Sequence, residues 1–347
     1  MKYKGFKCEF FGRATQALVC ILSSIKEQHS IEFVYIPAIC CPSVLFAVRF
    51  AGLKPILVEV DASTGLLDVT KIGQRAKDKP SAIIFVELYG QTQETKKVVK
   101  TAKELGFFSI LDAALSNAYV ERDFSFCDCV VFSFGNKKQI SIGFGAMLLT
   151  ASSFNFGNSE LVKNYSSMRQ ALETILYPKL YWFQKRIKPA FLRILFGRLM
   201  HHLVRSKFLS LNSRLAVLPE KLNAVERQRD VDIRLRRTKE FCELFANLTN
   251  IQLITFCSSD VYWRFSFLIH DKNKREKLLR DLRIAGHHAS SWYGPLTDYC
   301  SKQEKCLGPF PAAEDFSSRV VNLWLIDELD IICSPLQIAD VVKATLA

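Results

Sequence analysis

Ile110-Leu111-Asp112 and, farther on, Cys129-Val130-Val131-Phe132-Ser133-Phe134-Gly135-Asn136-Lys137-Lys138 are the stretches on which the reading of the fold turns. Each is a short apolar run of strand length that ends in side chains able to do chemistry. Runs of four to eight apolar residues without polar alternation are the pattern of strands covered on both faces. Moving outward, similar runs occupy residues 33–36, 56–60, 82–88, 107–111 and 129–134, and amphipathic patterns at 16–27, 43–51 and 95–105 fill most gaps. Alternation of this kind predicts an α/β fold with a mostly parallel sheet, in which ligands collect at the carboxyl ends of the strands. Asp112, Ser133 and Lys138 all fall at or beyond such ends.

The chain has 347 residues, 49% of them hydrophobic, enough for one large α/β domain and a smaller one. We expect a large domain over residues 1–216 and a small α+β domain over 217–347. The second contains a charged helical stretch at 221–244, strand-like runs at 262–269 and 319–326, and a helical pattern at 274–285. Eleven cysteines without a CxxC pair, and an adjacent Cys40-Cys41, argue for reduced thiols inside a cell over a disulfide framework or a zinc site. His201-His202 and His287-His288 lack an acid or cysteine cluster at ligand spacing, so no metal is expected. The opening MKYKGFKCEFFGRATQALVCILSSI is basic, then apolar, but Gly12, Arg13, Thr15 and Gln16 interrupt it, and we read it as mature sequence. No run reaches the ~18 to 20 apolar residues of a spanning helix, and the expected location is the cytoplasm.

An amine, a carboxylate and a hydroxyl at neighbouring strand ends are three of the groups that hold pyridoxal phosphate. Lys138 would supply the amine for a Schiff base, and Asp112 the carboxylate for the pyridinium nitrogen. Singly, a lysine after a strand is a solvated loop residue and an aspartate there is a turn or cap. Gly12-Arg13-Ala14-Thr15-Gln16-Ala17-Leu18 leads into the first helical pattern with a hydroxyl and free backbone amides, an arrangement suited to a phosphate. Alone it reads more readily as Thr15 serving as an N-cap.

With these segments in order, the sequence resembles the DegT/DnrJ/EryC1/StrS aminotransferases, sugar-modifying members of the fold type I pyridoxal phosphate class. The resemblance runs through Ala14-Thr15-Gln16-Ala17-Leu18, Ile36-Pro37-Ala38, Gly52-Leu53-Lys54-Pro55, Val58-Glu59-Val60-Asp61, Leu88-Tyr89-Gly90-Gln91, Asp112-Ala113-Ala114, Ser133-Phe134 with Lys138, and Gly143-Phe144-Gly145. Asn212-Ser213-Arg214-Leu215 looks like the family's Asn-x-Arg segment, and Trp292-Tyr293-Gly294-Pro295-Leu296 like its late aromatic motif. The resemblance implies that Lys138 carries the cofactor, that Asp112 pairs with its ring nitrogen, and that Thr15 and Ser133, with Ala14 and Gln16, hold phosphate. It further implies a homodimer with shared sites, Asn212 reaching the neighbour's cofactor, and Trp292 and Tyr293 facing substrate. The sequence departs from the family at Leu115, where a Gln or His is common, at Cys41, near a stacking aromatic, and at Phe144, within a Gly-Glu-Gly-Gly segment. Relatives that dehydrate sugars replace the lysine with histidine, whereas Lys138 is kept here.

Between Leu161 and Ala216 eleven Lys or Arg face a single acid, Glu173, among apolar and aromatic residues, in a chain of net charge +13. Within it we expect a basic amphipathic insert at about 161–210. Three readings stand: a solvated helical face, a site for an anionic nucleotide sugar, or a peripheral contact with the inner membrane surface. Pro178 and Pro189 break it into pieces. No nucleic-acid-binding signature accompanies the charge, and no nucleic-acid partner is expected. The function expected is transfer of an amino group from an amino acid, such as glutamate, to a nucleotide-linked keto sugar in surface polysaccharide or deoxysugar synthesis. The alternatives are a non-catalytic binding or membrane-associated protein on the same fold, or another pyridoxal phosphate reaction on a sugar.

Overall fold

The computed structural model describes residue 3 and residues 5–72, 79–120, 122–143, 145–151, 154, 229–254, 260–300, 309–326 and 334–346, with the backbone alone of 163–164, 210–211 and 227–228. Seven strands form the larger sheet: β1 (Phe6–Phe11), β2 (Phe33–Pro37), β3 (Lys54–Val58), β4 (Ser81–Val86), β5 (Phe108–Asp112), β6 (Cys129–Ser133) and β7 (Ala146–Ala151). Their order is β1-β7-β6-β5-β4-β2-β3. From β6 to β3 every pairing is parallel, and β7 pairs antiparallel with both neighbours, so it alone runs against the rest.

The five predicted strands are present with ends shifted by one or two residues. β1 and β7 were not foreseen. In β1, Lys7, Cys8 and Glu9 are exposed, as suits an edge strand that carries no apolar run. β7 is buried and follows a glycine-rich turn, and its run Ala146-Met147-Leu148-Leu149 carries the same apolar signal as the strands that were read.

Helix α1 (Ala14–His29) buries Gln16 through Ile25 almost without interruption, because it lies between β6, β7 and helix α2 (Pro42–Phe50). Its last turn is solvated, and Ser30 ends it in the left-handed region at φ 52°. Helix α3 (Thr95–Glu104) covers β4 and β5 with Val98, Val99 and Ala102. Full burial of a side chain such as Val98 or Leu111 contributes about 1.5–3 kcal/mol.

Two residue pairs, β8 (Lys163–Asn164) and β9 (Ser210–Leu211), pair in parallel. The basic insert between them, and the expected domain boundary at 216/217, lie outside the described residues. The second sheet, β10-β11-β13-β12, is antiparallel and comprises β10 (Ile251–Leu253), β11 (Arg264–Ile269), β12 (Ala289–Ser290) and β13 (Val320–Trp324). Helices α4 (Arg227–Phe245), α5 (Arg275–Ile284) and α7 (Pro335–Leu346) surround a core of Phe241, Phe245, Phe265, Phe267 and Val342.

The other face of this sheet joins the larger core: Trp263, Leu268, Leu296 and Phe316, the last on helix α6 (Pro311–Arg319), pack with residues of the first sheet. Three polar ties reinforce that contact. The Glu59 carboxylate accepts the Ala312 and Ala313 N–H groups, 3.1 and 3.0 Å away, at the positive end of α6. Asp260 accepts the Thr92 N–H at 3.1 Å and also its hydroxyl. Leu296 N–H donates to the Ala38 carbonyl at 2.7 Å, laying the segment after Trp292 against the end of β2.

Candidate active site

β5 and β6 are adjacent and in register, Asp112 opposite Val131, so they deliver Asp112 and the turn after Ser133 to one edge of the sheet. The Asp112 side chain is 5% exposed, and Ala114 N–H donates to its Oδ1 at 3.0 Å. Burial pushes its carboxyl above the ordinary carboxylate range, with Glu87 adding to the rise, while the Ala114 N–H and the Lys138 charge oppose it.

Lys138 closes a turn in which its N–H donates to the Gly135 carbonyl at 3.2 Å and Lys137 adopts φ 65°. Burial pushes its amine below the usual lysine value, and Arg264 adds to the depression. Cys41 and Asp112 pull the other way. A lysine so placed gives up its proton more readily and is a better nucleophile. Its Nζ stands 5.9 Å from the centre of the Trp263 ring.

Ser133, half-buried, ends β6 beside this turn. At the start of α1 the structure sets aside one of the two readings of Thr15, that of an N-cap. Arg13, not Thr15, is the N-cap, and it brings no side-chain acceptor to the first-turn amides. Ala14 and Thr15 are the first two helical residues. Gln16 is buried, its Oε1 accepts Gly12 N–H at 3.2 Å, and its Nε2 has no hydrogen-bond partner. An orphaned buried amide beside an uncapped helix start is what a phosphate would satisfy.

Cys41 is the N-cap of α2, its Sγ 2.9 Å from Ser43 Oγ. It lies within electrostatic reach of both Lys138 and Tyr293. The Tyr293 hydroxyl is pushed well above its usual value by burial first and by Cys41 next, while Arg264 favours its ionised form. Trp292 stacks near Trp263 with ring centres 6.0 Å apart, and its carbonyl accepts the Tyr89 hydroxyl. Trp292 and Tyr293 therefore lie near Lys138, the first through Trp263 and the second through Cys41. Asn212 and Phe144 lie outside the described residues. At the Leu115 departure the side chain is in the core, and its carbonyl accepts Gln139 Nε2 at 2.8 Å. The same Nε2 reaches the Val261 carbonyl at 2.6 Å, and Gln139 Oε1 is buried without a partner.

Three features escaped the sequence reading. Glu87 and Arg122 form a buried ion pair, joined by the Thr95 and Ser116 hydroxyls, just behind Asp112. Tyr89 and Gly90, read in the sequence only as part of the Leu88-Tyr89-Gly90-Gln91 match, turn the chain after β4 with φ 60° and 88°. At Gly90 a Cβ would meet the Val261 carbonyl at 3.0 Å and the Leu115 carbonyl at 3.1 Å, so only glycine fits. Arg264 sits at the start of β11 among Trp263, Trp292 and Trp324. Its signal was present in the sequence, a single charge inside the apolar run Val261-Tyr262-Trp263-Arg264-Phe265-Ser266-Phe267.

This arrangement can seat pyridoxal phosphate: Lys138 for its carbonyl carbon, Asp112 for its ring nitrogen, and the Gln16 amide with the α1 amino terminus and Ser133 for its phosphate. GDP-perosamine synthase of Escherichia coli O157:H7 is 24% identical over 303 residues, which span 84% of this chain and 72% of that protein. Two solved structures share the fold. A DegT DnrJ EryC1 StrS aminotransferase from Brucella abortus matches with TM-score 0.66 at 20% identity, over 99% of this chain and 87% of that one. A GDP-4-keto-6-deoxy-D-mannose-3-dehydratase from E. coli with bound hydrated pyridoxal phosphate matches with TM-score 0.70 at 13% identity, over 99% and 88%. The DegT/DnrJ/EryC1/StrS aminotransferase family profile matches residues 10–343, and the chain belongs to that family of pyridoxal phosphate-dependent enzymes.

Proposed function

We propose that this enzyme moves an amino group from an amino acid, such as glutamate, to a nucleotide-linked keto sugar for surface polysaccharide or deoxysugar synthesis. The observation that carries the reading is the pairing, at one sheet edge, of a lysine whose amine is depressed by burial with a buried carboxylate held by the chain that leaves β5. Pyridoxal phosphate, when bound, supplies the electron sink that makes a substrate C–H bond acidic.

The chain's own residues would then do the following. Asp112, fixed by the Ala114 N–H, keeps a positive charge at the ring nitrogen by offering it a counter-charge in a buried place. Lys138 holds the cofactor until the amino acid displaces it. Its freed amine then takes a proton from the substrate carbon and returns it elsewhere, a role suited to a lysine with a lowered pKa. Gln16 Nε2, the first-turn amides of α1 and Ser133 anchor phosphate, so that the ring does not shift while bonds change. Trp263 and Trp292 wall the space and keep water from the reacting carbon.

The amino acid would leave as its keto acid and the sugar ketone would receive the amine, with Lys138 moving the proton in both halves. Retention of Lys138 supports amino transfer over dehydration. Two copies of the chain would share their sites, with Asn212 of each reaching the other's phosphate. The two domains, 1–216 and 217–347, would close on the substrate from opposite sides.

The test is the visible absorption spectrum of the purified protein with pyridoxal phosphate, before and after borohydride, beside Lys138→Ala. A band that borohydride bleaches, present only with Lys138, followed by amino transfer from glutamate to a keto sugar nucleotide, is the expected result. A folded protein without that band would overturn the reading.

A further inference from the structure

The residues on either side of Lys138 are both tied to the segment that enters the second sheet. Before it, the Lys137 carbonyl accepts the Trp263 indole N–H at 2.5 Å. After it, Gln139 Nε2 donates to the Val261 carbonyl at 2.6 Å and to the Leu115 carbonyl at 2.8 Å. That segment is itself held by the chain leaving β4: Trp263 N–H donates to the Tyr89 carbonyl at 2.8 Å, and Asp260 accepts the Thr92 N–H. The Leu115 carbonyl belongs to the turn after β5 whose Ala114 N–H fixes the Asp112 carboxylate. One amide therefore joins three places: the turn that carries the amine, the turn that holds the carboxylate, and the entry to β11.

The chemistry of this side chain singles out its bonds rather than its bulk. Gln139 is 3% exposed, its Nε2 is shared between two main-chain carbonyls, and its Oε1 is buried with no hydrogen-bond partner. A residue that only filled this space would be better apolar, because a buried acceptor without a donor costs free energy. The surroundings are shaped to the amide. A Cβ at Gly90 would stand 3.0 Å from Nε2, and Lys137 takes φ 65°, a left-handed conformation that a lysine keeps only where neighbouring bonds impose it.

We propose that Gln139 is a positioning residue that holds the Lys138 amine in register with Asp112 and with the Trp263 ring, through its paired bonds to the Leu115 and Val261 carbonyls. The proposal deepens the aminotransferase reading and rests on it, since only that reading asks the amine and the carboxylate to hold one cofactor between them. A displacement of about 1 Å between reacting groups costs up to ~10²-fold in rate, so a tie of this kind acts on catalysis without touching substrate. Released from it, Lys138 would move from a desolvated seat toward water. The groups that face its amine in that seat are Cys41 at the start of α2, Asp112 on β5 and Arg264 on β11, and all three stay in place when Gln139 alone is changed.

The test uses the full chain with Gln139→Met, which keeps the length of the side chain and removes both donors, and with Gln139→Glu, whose carboxylate would face two carbonyls. Without cofactor, trace acetylation by acetic anhydride across pH, read on the Lys138 peptide by mass spectrometry, follows the titration of that one amine. In the intact protein it should lie below that of the surface lysines, since burial depresses it. In Gln139→Met it should move up toward them, and farther in Gln139→Glu, with the circular dichroism unchanged. With cofactor, kcat should fall about 10- to 100-fold while KM for either substrate stays within about twofold, because the tie acts on the reacting amine and not on binding.

A folded Gln139→Met in which the Lys138 titration does not move would make the amide a tie for stability alone and overturn the inference. Should that variant not fold, Trp263→Phe, which cuts the tie on the other side of Lys138 and keeps a ring beside it, must shift the titration the same way; an unmoved titration there overturns the inference equally. The borohydride-sensitive band of the intact protein keeps the two ideas apart. No band, with a titration that Gln139→Met moves, sinks the transferase reading and keeps the registration of Lys138, whereas the band with an unmoved titration does the reverse.

Discussion

The site has a floor and a wall, made by different means. The floor, Asp112, Ser133 and Lys138, comes from two adjacent parallel strands and the turn after them, and each residue is placed by a main-chain hydrogen bond or a strand end close in sequence. The wall, Tyr89, Trp263, Arg264, Ser290, Trp292 and Tyr293, is assembled from segments far apart in sequence, held by Tyr89 on the Trp292 carbonyl and by the Arg264–Ser290–Asn322 chain. In the proposed function, the floor would carry the reactive groups and the wall would line the substrate. Changes to the floor should therefore abolish chemistry with little loss of stability, and changes to the wall should shift binding and stability while cofactor attachment survives.

The largest effect is expected from Lys138→Ala: loss of the borohydride-sensitive band and a fall in turnover of about 10³-fold or more, read by absorbance and rate, with the melting temperature retained. Asp112→Asn should lower turnover roughly 10²-fold while stabilising the cofactor-free protein near neutral pH. The sign follows from the raised folded-state pKa of Asp112. An ionised carboxylate buried there costs stability above that pKa, and the cost disappears as pH falls through it toward the ordinary carboxylate range. Melting curves of both proteins across that window check it, and a stabilisation that persists at the acid end would refute the assignment.

Ser290→Ala strips the Arg264 Nη1 of its buried acceptor and should cost about 1.5–3 kcal/mol in urea unfolding, leaving the absorption band intact. If the band vanished as well, the separation of floor from wall would be wrong. Smallest is Tyr89→Phe, which removes one hydrogen bond between two segments of the wall, for about 0.5–1.5 kcal/mol in urea unfolding with the absorption band intact.

Sequence by itself determined the floor. Buried parallel strands announce themselves as short apolar runs, and a side chain at a strand end keeps its place once the strands pair, so the gathering of Asp112, Ser133 and Lys138 at one sheet edge was legible in the sequence. Expectations that rested on end effects were less exact. Thr15 proved to be inside its helix with Arg13 as the cap, and β1, an exposed edge strand, carried no apolar run to read.

Only tertiary structure decided the wall. Arg264 lies in a run that reads as an ordinary core strand, and its role depends on whether the indoles around it come from its own neighbourhood or from Trp292 and Trp324, far along the chain. A periodicity reports which face of a strand is buried, but it cannot report what is buried against it. The same limit hid the Glu87–Arg122 pair and the orphaned Gln16 amide. Hydrogen-bond satisfaction is a property of packed partners, and partners meet only after long loops have closed.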